Sequence, residues 1–186
     1  MTVHDVPVEF LILTGGAAAR LGQDKASTLI SGRSLLEYAR DCVASSFPSA
    51  QTRVLGSEFA GGPAAAVVSG VVLGDSEFVG VLAVDMPFAS VALAAVRQAM
   101  TNRSEINAWI PVDGDGRRQW LCAVYRRSAL VSAAEARSDW TGASFGALVG
   151  SLTCVEISVE QDVSLLDIDT PADLERARAE SDDDHR

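Results

Sequence analysis

A glycine-rich loop near the N-terminus carries the residue types that bind phosphate. Residues 13–25 read Leu-Thr-Gly-Gly-Ala-Ala-Ala-Arg-Leu-Gly-Gln-Asp-Lys, so an apolar run leads directly into two glycines and then into an arginine and a lysine. Glycine lets the backbone approach an anion closely, and successive amide groups can then form a concave nest for phosphate oxygens. Arg20 can engage phosphate through its planar guanidinium, and Lys25 supplies a compact charge that can follow a triphosphate during reaction. The pattern therefore predicts phosphate binding by Gly15, Gly16, Arg20 and Lys25.

The two glycines alone also suit a tight turn after a strand, with Arg20 and Lys25 as solvated charges. The spacing is neither the GxxxxGK[ST] phosphate loop nor the GxGxxG dinucleotide motif. However, the loop combines two glycines, an arginine, a third glycine and an Asp-Lys pair within a few residues. This combination favours the functional interpretation.

Asp85 is the first candidate for binding a metal ion. It follows the apolar run at 78–84, which predicts a buried strand, and it precedes Met86 and Pro87. Its carboxylate is therefore expected at the carboxyl end of a central strand, on the same edge of the sheet as the glycine-rich loop. Mg²⁺ takes one or two carboxylates together with phosphate oxygens, a composition that suits phosphoryl chemistry. The alternative is that Asp85 caps a helix that begins near Phe88.

A second pair of carboxylates flanks Ile168. Asp167 and Asp169 are two residues apart, so in an extended segment both side chains point to the same side while Ile168 faces the core. We expect a metal or substrate role for Asp169 and regard Asp167 as the weaker candidate. A local role competes with this interpretation, because Asp169 or Thr170 before Pro171 is well suited to start a helix.

These candidates lie at the ends of elements that alternate along the chain. The strands are expected at 10–13, 52–55, 78–84, 106–111, 120–125 and 152–157, and the helices at 34–46, 63–73, 90–100, 128–136, 142–149 and 171–179. This alternation predicts a single-domain, Rossmann-like α/β fold with a mostly parallel sheet and helices on both faces. The domain is expected to span residues 1–180, and residues 181–186 are expected to form a disordered acidic tail.

The composition of the chain restricts its partners and its compartment. The formal net charge of −10 argues against nucleic acid, because nucleic-acid binding rests on clustered lysine and arginine at phosphates. The longest apolar runs are too short to span a bilayer. Three cysteines without a CxxC pair fit a reducing compartment, and the N-terminus lacks the pattern of a signal peptide. We therefore expect a cytoplasmic protein that binds neither membranes nor nucleic acid.

Six segments in chain order resemble motifs of the molybdenum cofactor guanylyltransferase family, which belongs to a superfamily of nucleotidyltransferases. Besides the loop at 13–25, the matching segments are 61–66, 82–88, 119–125, 142–144 and 167–174. The third segment contains Asp-Met-Pro-Phe at 85–88, and the last reads Asp-Ile-Asp-Thr-Pro-Ala-Asp-Leu. The resemblance covers nearly the whole chain.

This resemblance implies Mg²⁺-dependent transfer of a guanylyl group from GTP to molybdopterin, which gives the guanine dinucleotide form of the cofactor and releases pyrophosphate. It implies that Asp85 holds the metal ion and that the second acidic motif lies close to the reaction centre, where Asp169 is the expected second metal ligand. A molybdoenzyme or another protein of cofactor biosynthesis is an expected partner. The residues expected to contact the nucleotide are Leu13, Thr14, Gly15, Gly16, Lys25 and Asp85.

The candidate residues predict in-line attack by an acceptor phosphate oxygen on the α-phosphorus of a nucleoside triphosphate. A substrate phosphate is already a competent nucleophile at neutral pH, so a strong general base is not required. Arg20, Lys25 and Asp85 would act as catalytic residues by positioning the reactants and stabilising charge, with Mg²⁺ at Asp85.

One interval departs from the family pattern. Between the first helix and the Gly-Pro segment, the family has a strand, a helical excursion and another strand, which supply an Asn and an Asp that read the base and the ribose. Here residues 52–62 cover that interval, contain no Asn, and have Glu58 as their single acidic residue. Cytidylyl transfer and transfer to another phosphorylated acceptor therefore stay open beside guanylyl transfer. A non-catalytic nucleotide-binding scaffold is the alternative from a different class.

Five further side chains have two interpretations each. Arg117 and Arg118 could attract a substrate phosphate or lie as solvated charges on a hairpin. Trp109, Trp120 and Trp140 could stack on a pterin, although packing in the core is favoured for each of them.

Overall fold

Eight strands and six helices make up the fold in a computed structural model that describes residues 7–15, 25–56, 58–59, 61–100, 103–159 and 162–183. The strands are β1 (Val8–Leu13), β2 (Leu29–Ile30), β3 (Arg33–Ser34), β4 (Gln51–Leu55), β5 (Phe78–Ala83), β6 (Ala108–Val112), β7 (Cys122–Arg126) and β8 (Cys154–Ser158). The helices are α1 (Leu35–Ser46), α2 (Pro63–Val71), α3 (Ser90–Ala99), α4 (Arg127–Glu135), α5 (Phe145–Val149) and α6 (Pro171–Asp183).

Six of the strands form one sheet in the order β4-β1-β5-β7-β6-β8. β1 pairs in parallel with β4 and β5, and β6 pairs in parallel with β8. β7 is antiparallel to both of its neighbours, so five strands run in one direction and one is reversed. The predicted α/β fold with a mostly parallel sheet is confirmed.

The sheet is covered on both faces, and every residue of the central strands β1 and β5 is buried. Phe10 and Ile12 of β1 belong to a core shared with α1, α3 and α6. Leu11 and Leu13 point to the opposite face and pack with α2, α4 and α5. This alternation follows the two-residue period of a strand, and continuous apolar runs are typical of strands buried on both faces.

A small hairpin follows the glycine-rich loop and was not predicted. β2 and β3 pair through Leu29 with Ser34 and through Ile30 with Arg33. Ser31 and Gly32 make the turn with φ of 46° and 84°, the left-handed backbone that a two-residue hairpin loop requires. Each strand has only two residues, which is too short for its alternation to be recognised in the sequence.

Two helix boundaries differ from the prediction by three or more residues. α5 begins at Phe145 and not at 142, because Gly142 has a φ of +73° and Ser144 caps the helix by accepting a hydrogen bond from the Ala147 amide. α6 continues to Asp183, so the expected tail from 181 begins too early. The Ser181 hydroxyl is buried against that of Tyr38 at 2.9 Å, which anchors the last turn of α6 to α1. In the described part of the chain, no helix has the length and apolarity to cross a membrane.

Candidate active site

The candidate site lies where β1 and β5 end side by side. Leu13 is the register partner of Ala83, and the amide of Val84 donates to the Leu13 carbonyl at 3.0 Å. Carboxyl ends of neighbouring parallel strands are where open α/β sheets bind ligands. A third segment joins this edge, because the Ile168 amide donates to the Asp85 carbonyl at 3.0 Å. Three segments that are far apart in the sequence therefore meet at one place.

Lys25 bridges two carboxylates at this edge. It begins a short 3-10 helix, Lys25–Ser27. Its Nζ atom lies 2.7 Å from Oδ2 of Asp85 and 2.6 Å from Oδ1 of Asp169. The expected proximity of Lys25 and Asp85 is thus present, and Asp169 joins them from the other end of the chain. An ammonium group held between two carboxylates is a centre of concentrated charge in a partly buried position.

The ammonium group of Lys25 stays charged in this setting. Burial lowers the pKa of Lys25, but hydrogen bonds to Asp169 and Asp85 outweigh that effect and raise the pKa of Lys25 above the ordinary lysine value. The side chain is only 11% exposed. Lys25 is therefore a permanent cation at neutral pH and can serve as a fixed positive charge towards phosphate.

The structure shows which residues cap the helices beside the site, a question that the sequence left open. α3 begins at Ser90 without a side-chain cap, so Asp85 does not cap this helix. At the start of α6, the Asp173 amide donates to Oγ1 of Thr170, and the Thr170 amide donates back to the Asp173 carboxylate. Thr170 is therefore the capping residue, and the carboxylate of Asp169 faces Lys25.

Asp167 lies beside this charged centre without an ion pair to Lys25. Its carboxyl group reaches solvent, yet it forms part of the wall between two cavities of 410 Å³ and 320 Å³, where protein atoms replace part of its hydration. This desolvation, together with the charges of Asp85 and Asp169, raises the pKa of Asp167 to about 6.

The 410 Å³ cavity opens directly from the carboxylates. Its lining includes Asp85, Asp167 and Asp169 on one side and residues 118–121 and 144–146 on the other. Residues 118–121 precede β7, and because β7 is antiparallel, its beginning lies at the same edge as the carboxyl ends of the parallel strands. These two segments overlap residues 119–125 and 142–144, whose resemblance to the family did not assign them to the site. The sequence did not reveal that β7 is antiparallel to β5, and this direction is what brings residues 118–121 to the site.

The donor set fits a hard divalent cation that also binds substrate phosphate. Among the described residues, no group of three or more His, Cys, Asp or Glu side chains is arranged to hold a metal ion. Asp85 and Asp169 instead supply two carboxylates that converge on one point, the Nζ atom of Lys25. Mg²⁺ is typically held by one or two carboxylates and completed by water and phosphate oxygens, so these two residues suit it.

Three other predicted site residues, Leu13, Thr14 and Gly15, lie at the start of the glycine-rich loop. The Thr14 hydroxyl donates to the Leu55 carbonyl at 3.2 Å, which joins the start of the loop to β4. Leu13 is buried in the core and Gly15 is exposed beside the loop that follows β4. Gly16 and Arg20 lie outside the described residues.

The interval expected to read the base contains one strand, β4, in its described part. β4 forms an edge of the sheet and leads into a loop before α2. In that loop, the Glu58 carboxylate accepts a weak hydrogen bond from the Gly56 amide at 3.4 Å, and Phe59 packs against the core. The Glu58 carboxylate therefore has a hydrogen-bond partner within its own loop.

The two arginines differ in exposure and pairing, and the three tryptophans differ in burial. Arg117 is exposed on the hairpin between β6 and β7, whereas Arg118 is paired with Glu156 of β8 at 2.5 Å. Trp109 and Trp140 are buried in the two cores, as favoured from the sequence. Trp120 is half-buried and lines the 410 Å³ cavity, so core packing describes it only in part.

Comparison with known proteins gives one family and one fold. The profile of a family described as "MobA-like NTP transferase domain" matches residues 10–151. A probable molybdenum cofactor guanylyltransferase of Mycobacterium ulcerans (strain Agy99) is 29% identical over 189 residues, which cover 88% of this chain and 90% of that protein.

Two solved structures share the fold at lower identity. Molybdopterin-guanine dinucleotide biosynthesis protein A of Archaeoglobus fulgidus superposes with a TM-score of 0.68 at 21% identity, covering 94% of this chain and 99% of its own. The 4-diphosphocytidyl-2C-methyl-D-erythritol synthase of Anaerococcus prevotii DSM 20548 superposes with a TM-score of 0.69 at 15% identity, covering 95% and 99%.

Proposed function

Because this chain belongs to the MobA-like NTP transferase family and is thus a nucleotidyltransferase, we propose that it transfers a guanylyl group from GTP to molybdopterin. The products are the guanine dinucleotide form of the cofactor and pyrophosphate. The observation that carries the proposal is the bridge of Lys25 between Asp85 and Asp169 at the mouth of a 410 Å³ cavity.

The residues divide the work between charge and position. Lys25 supplies a fixed positive charge for the triphosphate, and Arg20 with the amides of Gly15 and Gly16 adds donors from the glycine-rich loop. Asp85 and Asp169 would hold Mg²⁺, which when bound would offset negative charge on the phosphates. The acceptor phosphate attacks the α-phosphorus in line, so the protein contributes positioning more than proton transfer.

Guanine is preferred over cytosine on the motif at 85–88 and on the relative from Mycobacterium ulcerans. The single strand between α1 and α2 leaves a smaller base-reading region than the family pattern has, and this favours testing the cytidylyl alternative directly. A lysine held between two carboxylates is not required for a scaffold without activity, so it favours the enzyme. The compartment proposed is the cytoplasm, and the partner is a protein that delivers molybdopterin or receives the product.

The test combines a panel of substrates with one variant. Each labelled triphosphate is incubated with molybdopterin and Mg²⁺, and nucleotidyl transfer and pyrophosphate are both measured. We expect transfer with GTP and only background transfer with CTP; preferential use of CTP would assign the cytidylyl reaction, and binding of triphosphates without transfer would indicate a scaffold.

Lys25→Ala should lower kcat by about 10²–10³-fold, the usual effect of removing one group that stabilises transition-state charge. Circular dichroism should remain that of the wild type, because Lys25 packs at the edge of the sheet and not in its core. Arg40→Ala, which removes an exposed cation of α1 away from the carboxylates, is the matched control and should keep wild-type turnover. Wild-type turnover in Lys25→Ala would contradict the assignment.

A further inference from the structure

Trp120 differs from the other two tryptophans in what surrounds it. Trp109 and Trp140 are buried among apolar side chains, whereas the indole of Trp120 forms part of the wall of the cavity that also contains Asp85 and Asp169. A large flat side chain at a cavity wall next to a reaction centre offers a surface for a planar ligand.

The backbone of Trp120 is held in place by a hydrogen bond from a side chain of the core. Its carbonyl accepts a hydrogen bond of 2.7 Å from the hydroxyl of Tyr125, which is fully buried. The Tyr125 ring in turn packs edge-on against Phe145 of α5, with ring centroids 5.6 Å apart. The position from which the indole projects is therefore fixed by the core.

Arg118 stacks on the indole and is itself oriented. Its guanidinium carbon lies 5.2 Å from the centre of the Trp120 ring. Two guanidinium nitrogens contact the same carboxylate oxygen of Glu156, at 2.6 Å and 2.5 Å. Because Glu156 holds the guanidinium, Arg118 supports the indole as a second planar layer.

Gly146 leaves space beside the indole nitrogen. A Cβ atom at this position would lie 3.3 Å from Nε1 of Trp120 and 3.6 Å from the adjacent ring carbon. Among the described residues, Nε1 of Trp109 is the buried side-chain nitrogen without a hydrogen-bond partner, whereas Trp120 lines the cavity.

We propose that Trp120, supported by Arg118 and given space by Gly146, binds the planar heteroaromatic ring system of the acceptor. The inference rests on the proposed function, since it treats the cavity as the acceptor site, and it adds the residues that select a flat, nitrogen-rich bicyclic acceptor. The ring lies against the indole, and the acceptor phosphate extends towards Asp85 and Lys25. A sugar or polyol phosphate has no planar aromatic ring to stack there and gains less from this wall.

The first experiment separates acceptor binding from nucleotide binding. Stacking of a heteroaromatic ring on an aromatic side chain is worth about tenfold to a hundredfold in affinity, so Trp120→Leu should raise the KM for molybdopterin by that factor. The KM for GTP should stay unchanged, and Trp120→Phe should recover most of the acceptor affinity. Arg118→Ala should have a smaller effect in the same direction, and Arg117→Ala, which removes the neighbouring exposed arginine, should have none.

The second experiment does not depend on transfer. The fluorescence of a soluble pterin is titrated with protein in the absence of nucleotide, and the wild type should quench it with saturation. Trp120→Leu should lose this quenching, and Gly146→Val should weaken it because the side chain fills the space beside Nε1. Circular dichroism of each variant verifies folding, and Trp120→Phe keeps the test valid if the leucine variant unfolds.

The outcomes distinguish the two proposals. Equal pterin affinity in the wild type and in a folded Trp120→Leu variant, with an unchanged KM for molybdopterin, overturns the role of Trp120 and leaves the proposed function standing. Quenching that depends on Trp120, in a protein that transfers no guanylyl group to molybdopterin, overturns the proposed function and supports the ring-binding wall.

Discussion

Individual side chains of the candidate site are distinguished by their partners. Asp85, Asp167 and Asp169 are three carboxyl groups within one small region, yet only Asp85 and Asp169 contact Lys25. Asp167 makes no ion pair with Lys25, and its pKa is raised mainly by desolvation and further by the charges of Asp85 and Asp169. Aspartate thus serves as an ion-pair partner at positions 85 and 169, whereas at position 167 its ionised form is disfavoured.

The raised pKa of Asp167 predicts how the stability of the protein depends on pH. The ordinary pKa is 3.8 and the folded value is about 6, so the folded protein binds the proton more tightly than the unfolded chain does. The folded state is therefore favoured by this group below pH 3.8 and loses that contribution as the pH rises through 6. Asp167→Asn removes the ionisation, so it should stabilise the protein above pH 6 and have little effect near pH 4.

After allowing for screening by solvent, the gain from Asp167→Asn is expected to be about 1 kcal/mol, or a rise in Tm of about 2–4 °C. Thermal unfolding between pH 4 and pH 8 measures it. Asp75→Asn, which changes an exposed carboxylate in the turn before β5, serves as the control. An advantage of Asp167→Asn that was constant with pH would contradict the electrostatic cause.

At the scale of elements, the site depends on how closely β1 and β5 approach each other. Gly80 of β5 lies opposite Phe10 of β1, and its missing side chain makes room for the Phe10 ring. A Cβ atom at position 80 would lie 2.3 Å from that ring, which is itself packed against Phe47 with centroids 5.0 Å apart. This glycine is required by packing and not by its backbone conformation.

Gly80→Ala should therefore destabilise the fold by about 2–3 kcal/mol, the cost of adding a methyl group to a filled core. Urea unfolding gives the free energy. The double variant Gly80→Ala with Phe10→Leu supplies the missing space, so it should be more stable than the sum of the two single changes predicts. Strict additivity would mean that the ring and the methyl group do not compete for the same volume.

At the scale of the whole molecule, a buried ion network closes the end of the sheet opposite the site. Glu9 of β1 is 6% exposed and pairs with Arg127 at 2.6 Å and with Arg53 at 3.0 Å. Arg127 also donates to the carbonyls of Ser76 and Val71. One guanidinium thus joins α4 to β1 and to the segment between α2 and β5, which holds the N-terminal ends of the strands together.

Loss of Arg127 should have a large cost because the buried Glu9 would keep only Arg53, whose side chain is 40% exposed, as a partner, and the carbonyls of Ser76 and Val71 would lose a donor. Arg127→Leu is expected to lower the free energy of unfolding by about 3–5 kcal/mol. Arg103→Ala breaks the pair with Glu105, in which both side chains are well exposed, and should cost less than about 1 kcal/mol. Chemical unfolding of both variants at the same pH compares the two pairs, and similar losses would contradict the role of burial.

The amino-acid sequence by itself determined the local parts of this protein. Apolar runs predicted β1 and β5, and the residues that follow them predicted a phosphate loop and a carboxylate at one edge of the sheet. The strand predictions succeed because strands depend on residues close together in the chain, whereas phosphate binding by the loop stays a prediction. The family motifs, read in order, added the nucleotidyltransferase class, which the match over residues 10–151 confirms.

Only the tertiary structure decided which side chains meet. Lys25 contacts Asp169 across 144 residues of sequence, and residues 118–121 join the site because β7 runs against its neighbours. Both facts depend on the order and direction of strand pairing, and local periodicity carries no information about either. The same reason explains why three similar tryptophans ended in different places, two in the core and one at the cavity wall.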